Sequence, residues 1–324
     1  MLNWQDMQIF LEVARANRLT DAARRLNIDH STVSRRIRRF EASLNAQLFE
    51  RSTHGYELAP AGKQLLLFAE EMARQASQAS DNISDRNLQV SGQIRLGVTE
   101  GFGTHVITPL LGAFRRRYPD ITIDLLSLPR AVNLSRHEAD LAITIDRPSN
   151  AEMVVSRLCS YRLNLYGEKG YLDQIGRPNN VSALSRFDLV GYVDDLIFSD
   201  QLGYLDPFLA NLPSQPRFSL RSTSIIAQLH AVRCGAGLGI LPCFMASQDT
   251  ALEALLTDQM DIQRAFWIAA RGDQRQLLRV RLLWEFLKTA IEANQGFLMG
   301  EAEGGLQMPV AQGLLAGVET EQRA

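Results

Sequence analysis

The alternation of apolar and polar positions near the start of the chain predicts three short helices. The third is the most regular, because four apolar residues recur in it at intervals of three or four: Val33, Ile37, Phe40 and Leu44. This spacing places all four on one face of a helix. The first helix is predicted by a similar spacing of Met7, Phe10, Leu11 and Ala14.

The stretch between these two helices predicts a short helix and a break. Thr20 is expected to cap that helix, and Ala22 and Ala23 are expected to face inward, where they let another helix approach closely. Asn27 ends it, since asparagine tolerates a left-handed backbone better than most residues with a side chain. Asp29 can then cap the third helix.

The face of the third helix opposite its apolar stripe is basic. It presents Ser31, Arg35, Arg38 and Arg39, with Thr32 and Arg36 at its flanks. Seven arginines and three acids lie between Arg24 and Arg51, so this segment carries a net charge of +4, whereas the whole chain carries −2. The alternative is that these arginines only solvate the exposed side of a surface helix. The forked guanidinium group of arginine, however, suits hydrogen bonding to guanine edges and phosphates. Together with the cap, the break and the stripe, it favours a helix-turn-helix that enters a DNA major groove.

The sequence LFERSTHGYEL, residues 48–58, predicts a β-hairpin after the third helix. Its turn is expected at residues 53–55, and such a hairpin is the wing of a winged helix. Arg51 at the base of the wing is expected to reach a phosphate or the minor groove. The alternative is a salt bridge from Arg51 to Glu50 or Glu41.

Residues 2–88 resemble the amino-terminal part of the LysR-type transcriptional regulators. The resemblance is carried by Ala22-Ala23, Ser34-Arg35, Ile37, Glu41, Leu48-Phe49, Arg51 and Ala61-Gly62 in a fixed order. It implies double-stranded DNA as a partner. The residues expected to contact DNA are Thr20, His30, Ser31, Thr32, Ser34, Arg35, Arg36, Arg38 and Arg51. The chain departs from the family in having His30-Ser31 where Gln-Pro is frequent, and Ala59 where a threonine cap is usual.

A long helix is expected after the wing, because the chain has no glycine or proline from Lys63 to Ser91. Small and apolar residues recur in it about every 3.5 residues, which is typical of a helix that pairs with another helix. They are Leu65, Ala69, Met72, Ala76, Ala79 and Ile83. The resemblance implies that this helix forms a homodimer or a homotetramer. The alternative is that it packs on its own domain.

The rest of the chain alternates short β-rich runs with amphipathic stretches, which predicts an α/β fold with largely parallel sheets. It resembles the effector-binding domain of the same family, which implies two lobes like those of periplasmic binding proteins. The predicted fold class is therefore a winged helix-turn-helix, a long linker helix and a two-lobed α/β effector domain. The expected bounds are 1–61, 62–91 and 92–295, followed by a poorly ordered tail at 296–324.

Ligands of open α/β sheets bind outside the carboxyl ends of the strands, where helix N-termini point their amide groups. The residues expected there are Thr99, Glu100, Gly101, Phe102, Ser127, Pro129, Thr223 and Ser224. Thr99 and Ser224 can alternatively serve as helix caps. Glu100 places an acid at a helix N-terminus. We therefore expect a small-molecule effector that is neutral, cationic or a hydrogen-bond donor, unless Glu100 turns outward to solvent.

Composition excludes several other classes of protein. At 324 residues the chain is long enough for two or three domains. Its three cysteines, Cys159, Cys234 and Cys243, are too scattered for a disulfide framework or a zinc cluster. The last two are only weakly similar to the peroxide-sensing pair of some family members. The chain has neither a run of 18 apolar residues nor a signal peptide, so we expect a cytoplasmic protein with no membrane partner.

Catalytic chemistry finds no support in the sequence. No Ser/His/Asp or Cys/His arrangement is visible, and the histidines have no companions at metal-ligand spacing. We expect a regulator that is not an enzyme and has no cofactor, and RNA polymerase stays open as a further partner. The alternative is a small-molecule binding protein or an enzyme with a vestigial helix-turn-helix.

Overall fold

The computed structural model describes residues 3–16, 18–52, 55–84, 90–128, 139–210, 212, 214–302 and 304–309. The chain forms two compact units, Met1–Leu88 and Gln89–Ala324. Among the described residues, no helix is long and apolar enough to cross a membrane.

The first unit is a winged helix-turn-helix that continues into a long helix. Its elements are α1 (Trp4–Ala16), α2 (Leu19–Leu26), α3 (His30–Leu44), β1 (Phe49–Ser52), β2 (Gly55–Leu58) and α4 (Pro60–Ser84). The predicted apolar stripe forms its core, since Val33, Ile37 and Phe40 are at most 2% exposed and pack with Phe10. Each such side chain contributes about 1.5–3 kcal/mol through the hydrophobic effect. The three predicted helices and the wing are therefore present.

The helix boundaries show where local chemistry decides the backbone. Asn27 ends α2 with a left-handed backbone at φ 52°, as predicted, and Asn45 ends α3 in the same way at φ 49°. The predicted cap at Thr20 is wrong. Helix α2 begins at Leu19, and its N-cap position is Arg18, which makes no side-chain capping bond. Asp29 does occupy the N-cap position of α3, but its side chain makes no capping bond either.

The start of α4 is held by a close approach of two backbones. Pro60 is the first helical residue, where its missing N–H costs nothing. A Cβ on Gly62 would collide with the main-chain oxygen of Leu48. The same oxygen accepts a hydrogen bond from Ala59 N at 3.0 Å. The start of the wing and the start of α4 therefore meet at Leu48, and this is why only glycine fits at position 62.

The second unit is built on one nine-stranded mixed sheet. Its strands are β3 (Gly92–Thr99), β4 (Ile121–Leu128), β5 (Leu141–Thr144), β6 (Met153–Glu168), β7 (Leu189–Gly191), β8 (Phe218–Arg221), β9 (Leu238–Pro242), β10 (Leu252–Leu255) and β11 (Ile262–Arg271). They follow the order β4-β3-β5-β11-β6-β9-β7-β8, with β10 paired to β6. The sheet thus has two halves joined by the long strands β6 and β11, which correspond to the two lobes of an effector domain.

The prediction of largely parallel sheets holds only within each half. Strand β3 pairs in parallel with β4 and β5, and β7 pairs in parallel with β8 and β9. The pairs that involve β6 or β11 are all antiparallel. Neighbouring strands are parallel only when a crossover connection joins them in the same direction. The long strands β6 and β11 run in the opposite direction to their neighbours and therefore pair with them in antiparallel fashion. The alternation of strands and helices in the sequence does not reveal this.

Helices cover both halves of the sheet. They are α5 (Glu100–Phe102), a π-helical turn (Gly103–Ile107), α6 (Thr108–Arg117), α7 (Lys169–Ile175), α8 (Asp206–Leu209), α9 (Ile225–Arg233), α10 (Cys243–Ala246), α11 (Gly272–Arg275), α12 (Leu278–Glu292) and α13 (Gln295–Leu298). The first three form one continuous helical segment, residues 100–117, that leaves the carboxyl end of β3. This segment brings the first predicted ligand-binding residues to the edge of the sheet.

The expectation of a poorly ordered tail from residue 296 is wrong for its first part. Phe297 and Leu298 are at most 7% exposed, and Leu306 packs against the core. Asn294 Nδ2 donates to the main-chain oxygen of Gln307 at 3.0 Å, and Gln307 N donates back to Asn294 Oδ1 at 2.7 Å. This paired bond fastens a glycine-rich segment whose composition alone suggested no structure. Residues 310–324 lie outside the described residues.

Candidate functional site

The exposed face of α3 and the wing enclose an open depression in the first unit. Its volume is about 700 Å³, and it is lined by Leu19, His30, Ser31, Ser34, Arg35, Arg38, Gly55 and Tyr56. Five of the residues predicted to contact DNA therefore lie together: His30, Ser31, Ser34, Arg35 and Arg38. Arg35 and Arg38 have no ion pair with the described residues, so their guanidinium groups are available to an external anion.

Arg36, which was predicted to contact DNA, faces α1 instead. Its Nη1 donates to Gln5 Oε1 at 3.1 Å and lies 3.6 Å from Asp6 Oδ1. Arg39 Nη2 donates to both carboxylate oxygens of Asp6 at 3.1 and 3.0 Å. Asp6 is only 5% exposed, so the pairing satisfies a buried carboxylate. The side chain of Arg36 is thus engaged by α1 in this structure, and its DNA contact stays a prediction.

The pairing of Asp6 with two arginines was missed in the sequence. Its signal was an acid within the apolar face of the first helix, between Trp4 and Met7. An acid at a buried position needs a cationic or hydrogen-bonding partner, but the sequence does not say which of seven nearby arginines provides it.

The other predicted DNA contacts lie beside the depression or outside the described side chains. Thr20 is exposed on α2 and Thr32 is half-buried on α3, and neither residue lines the depression. The backbone of Arg51 pairs with that of Tyr56 in the wing, whereas its side chain lies outside the described part of the structure. Its proposed phosphate contact therefore stays a prediction.

Glu41 anchors the start of the wing. Its Oε1 accepts hydrogen bonds from Leu48 N at 2.8 Å and from Phe49 N at 3.1 Å. A charged acceptor makes these bonds stronger than neutral ones. This is a structural role, and it differs from the predicted alternative of a salt bridge between Glu41 and Arg51.

The predicted pairing seam of α4 divides into two parts. Leu65 and Ala69 pack in the core of the first unit, and Ala69 is fully buried, so the alternative of packing on the helix's own domain is correct for them. Met72 and Ala76 are exposed, and the side chains of Ala79 and Ile83 lie outside the described residues. Among the described side chains of α4, the exposed large apolar ones are Leu67 (60%), Phe68 (69%) and Met72 (39%). Met72 belongs to the predicted seam and Phe68 lies one turn before it, so these two side chains form an exposed apolar face, whereas Leu67 points away from it.

A cleft in the second unit holds most of the predicted ligand-binding residues. It has room of about 40 Å³, which is enough for about three water molecules. Its polar lining includes Thr99, Glu100 and Thr223, together with the backbone at Gly101. A Cβ on Gly101 would lie 2.9 Å from Ile225 and 2.8 Å from Met245, so the two halves of the unit meet closely at this glycine.

Glu100 turns into the cleft and not outward to solvent. Its Oε1 accepts a hydrogen bond at 3.0 Å from Ser224 Oγ, which also accepts from Ala227 N at 3.1 Å and so caps α9. Its Oε2 is buried and has no hydrogen-bond partner among the described residues. Ser224 therefore serves both as the predicted cap and as a link between the two halves.

Ser127, which was expected at the cleft, is not among the residues that line it. Ser127 Oγ donates to the main-chain oxygen of Glu100 at 3.3 Å, behind the side chain that enters the cleft. A Cβ on Gly103 would lie 2.7 Å from the same Oγ, so the serine supports the π-helical turn. Pro129 lies outside the described residues.

Seven aromatic rings contribute to the wall of the cleft. They are Phe102, Tyr161, Tyr192, Phe198, Tyr204, Phe244 and Phe266. The rings of Phe102 and Tyr161 both stack on the ring of Phe266, at centroid distances of 4.0 and 4.4 Å. Sequence reasoning found only Phe102, because the other rings come from strands and loops far apart in the chain.

Burial keeps the tyrosine hydroxyl groups of the cleft neutral. It raises the pKa of Tyr204 to about 12 and the pKa of Tyr161 well above its ordinary value, and their hydroxyl groups are hydrogen-bonded to each other. The pKa of Tyr192 is raised by burial first, then by Tyr204 and by the charge of Glu100. These groups therefore offer O–H donors and acceptors and carry no charge at neutral pH.

The cysteines are placed as small core residues, with one exception. Cys159 and Cys243 are buried, and burial raises the pKa of both thiols, that of Cys159 to about 12. Cys234 is exposed at the end of α9. Within the described ranges, no group of three or more His, Cys, Asp or Glu side chains could hold a metal ion.

Comparison with known proteins agrees with this division into two parts. Residues 4–63 match the family model of the bacterial regulatory helix-turn-helix proteins of the lysR family. Residues 87–292, more than half of the chain, match the model of the LysR substrate binding domain. The chain belongs to the LysR family. It is therefore a transcriptional regulator with a DNA-binding helix-turn-helix and an effector-binding domain.

Individual LysR-type proteins are similar along most of the chain. The HTH-type transcriptional regulator PtxR of Pseudomonas aeruginosa is 26% identical over 250 residues, which cover 77% of this chain and 80% of that protein. The structure of a full-length OxyR variant from Pseudomonas aeruginosa matches with a TM-score of 0.66 at 18% identity, covering 94% and 99% of the two chains. Full-length CbnR, solved in complex with its target DNA, matches with a TM-score of 0.60 at 18% identity, covering 89% and 99%.

Proposed function

We propose that this LysR-type regulator binds double-stranded DNA with the face of α3 that lines the depression beside the wing. The observation that carries the proposal is the grouping of His30, Ser31, Ser34, Arg35 and Arg38 around one open depression. Arg35 and Arg38 would neutralise phosphates or read guanine, whereas His30 and Ser31 lie at the first turn of α3, the part that reaches base edges in this motif. Arg36 is held by α1 and supports the fold of the domain.

The regulator acts as a homo-oligomer in this proposal. A dyad DNA site needs two recognition helices, and a second copy of the chain is the simplest source of the other. The occupant proposed for the exposed face of Phe68 and Met72 is the same face of α4 in that second copy. Side chains of this size, exposed together on one helix, lose their contact with water when two copies pair.

A small-molecule effector in the cleft of the second unit would modulate DNA binding or activation. The support is the approach of the two halves at Gly101 and the polar groups of Thr99, Glu100 and Thr223 within an aromatic wall. A ligand that contacts both halves and binds one of their relative arrangements more tightly would shift the protein towards that arrangement. The proposed site of action is the cytoplasm, where chromosomal DNA is present. RNA polymerase is a further proposed partner there.

Salt-dependent binding to DNA tests the proposal. Arg35→Ala should weaken binding to all DNA sequences and lower the slope of log K against log salt by about 1, the value of one phosphate. Ser31→Ala should instead change which base pairs are preferred, by about 1–3 kcal/mol for each affected pair.

Arg15→Ala is the matched control, because it removes the same charge from α1, where Arg15 is paired with Glu12 outside the depression. The control should leave affinity and slope close to those of the wild type. Equal effects of the two arginine variants would mean that only the overall charge matters. An Arg35→Ala protein with unchanged affinity and slope would show that this face of α3 does not meet DNA.

A further inference from the structure

The cleft of the second unit contains a carboxylate whose hydrogen bonding is incomplete. Glu100 Oε1 is satisfied by Ser224, but Oε2 is buried without a partner among the described residues. Neither protonation state removes the deficit. An ionised group leaves an acceptor unpaired, and a neutral acid would place an unpaired O–H in the same position. Such a group is costly in a folded protein unless something else completes it.

The walls around this carboxylate favour one kind of partner. Glu100 is the only carboxylate among the described lining residues, and no lysine, arginine or histidine lines the cleft with it. The guanidinium of Arg264 lies 5.9 Å from the centroid of Tyr204, but it donates to the main-chain oxygens of Gln201 and Gln263. Glu100 is therefore the one charged side chain among the described lining residues, and an anionic ligand would meet its repulsion with no cation in the lining to compensate.

The aromatic rings of the cleft also favour a positively charged ligand. A ring presents a negative face, and a cation within about 6 Å of its centroid is attracted to it. Tyr192, Phe198 and Tyr204 line the cleft together with Glu100. The hydroxyl groups of Tyr192 and Tyr204 are neutral, because burial raises the pKa of each, so these rings keep the quadrupole of a phenol and do not add charge. Apolar walls that surround one carboxylate suit an alkyl group that ends in a positive charge.

The unpaired oxygen also requires a donor of hydrogen bonds. A quaternary ammonium group satisfies the rings but has no N–H to give to Oε2. A primary ammonium group has three N–H donors, and the room of about 40 Å³ admits such a group with a short alkyl chain. We propose that the cleft recognises the primary ammonium group of a small organic amine, with Glu100 Oε2 accepting its N–H and the aromatic wall enclosing its alkyl part.

This inference rests on the proposed role of the cleft as the effector site, and its test is separable from DNA binding. Full-length protein would be titrated calorimetrically at neutral pH and matched ionic strength with four probes of similar size: ethylammonium, tetramethylammonium, propionamide and propionate. Ethylammonium should bind most tightly. Each protein sample would also be assayed by gel shift on DNA without probe, so that a failure of the regulator as a whole is recognised.

Glu100→Gln is the decisive variant, because it keeps the shape of the side chain and its acceptor for Ser224 while removing the charge. It should weaken ethylammonium binding roughly 10- to 100-fold, the effect of one hydrogen bond to a charged group. Glu292→Gln on the exposed side of α12 is the control and should bind like the wild type. Glu100→Asp retains the charge and should preserve the ranking of the probes. This second variant keeps the inference testable if Glu100→Gln fails to fold.

Four outcomes would overturn the inference while leaving the DNA-binding function intact. One is propionate binding the wild type as tightly as ethylammonium. Another is ethylammonium binding Glu100→Gln and wild type equally. The third is the absence of binding by every probe, which would indicate that ordered water completes Oε2. Tighter binding of tetramethylammonium than of ethylammonium would likewise contradict the role of the N–H donor.

Discussion

Glu41 is predicted to hold the wing in place through two hydrogen bonds to the main chain. Glu41→Ala removes the acceptor of Leu48 N and Phe49 N, which lie 2.8 and 3.1 Å from Oε1 in the native protein. Leu48 and Phe49 are only 1% and 4% exposed, so water replaces the lost acceptor poorly. A buried donor without a partner costs about 1–3 kcal/mol. For two donors beside a half-buried glutamate, we expect the winged helix to lose about 2–4 kcal/mol.

Amide hydrogen exchange measures this effect locally, since the two units of the chain need not unfold together. Protection of the peptide that covers residues 48–52 should fall roughly 30-fold or more, because each 1.4 kcal/mol corresponds to a factor of about ten. Glu41→Gln keeps one acceptor oxygen and loses only the advantage of the charge, so about half of the effect is expected.

Glu50→Ala is the matched control for the wing. Glu50 is exposed on the same strand and lies opposite Glu57, so its removal also relieves a pair of like charges across the hairpin. It should leave protection of the peptide unchanged or slightly higher. Unchanged protection in Glu41→Ala, or a larger loss in Glu41→Gln than in Glu41→Ala, would refute the reasoning.

Three further outcomes are expected. Phe68→Glu places a charge on the exposed apolar face of α4 and should dissociate the oligomer in sedimentation velocity without unfolding it; an intact oligomer would contradict the proposed interface. Gly237→Ala forces a side chain onto a backbone at φ +149°, with a main-chain carbon 2.8 Å from its Cβ, and should lower the melting temperature more than Gly176→Ala, where φ is +94° and the space is open. Iodoacetamide at about pH 8 should label Cys234 and not Cys159, whose pKa of about 12 keeps the buried thiol neutral, as peptide mass spectrometry would show.

Local patterns in the sequence determined the elements of this protein and several of their ends. The stripe of Val33, Ile37 and Phe40 forms the core face of α3, and Asn27 takes the left-handed backbone that ends α2. The residues of α3 that were predicted to contact DNA and that line the depression also lie together, since a helix places positions three and four apart on one face. Each of these outcomes depends on interactions within a few residues of the chain, and such interactions are visible in the sequence.

Only the tertiary structure decided the outcomes that depend on distant partners. Arg36 is drawn to α1 by Asp6, about thirty residues away. Leu65 and Ala69 fit a pairing seam, but the core of their own domain takes them. The tail packs because Asn294 and Gln307 exchange hydrogen bonds.

The cleft depends most strongly on long-range structure. Its carboxylate follows β3, whereas Tyr161 comes from β6 and Phe266 from β11. The long antiparallel pairing of β6 with β11 brings these two rings into one stack. The sequence placed Glu100 at the end of a strand, but the aromatic wall around it exists only because the sheet joins segments more than one hundred residues apart.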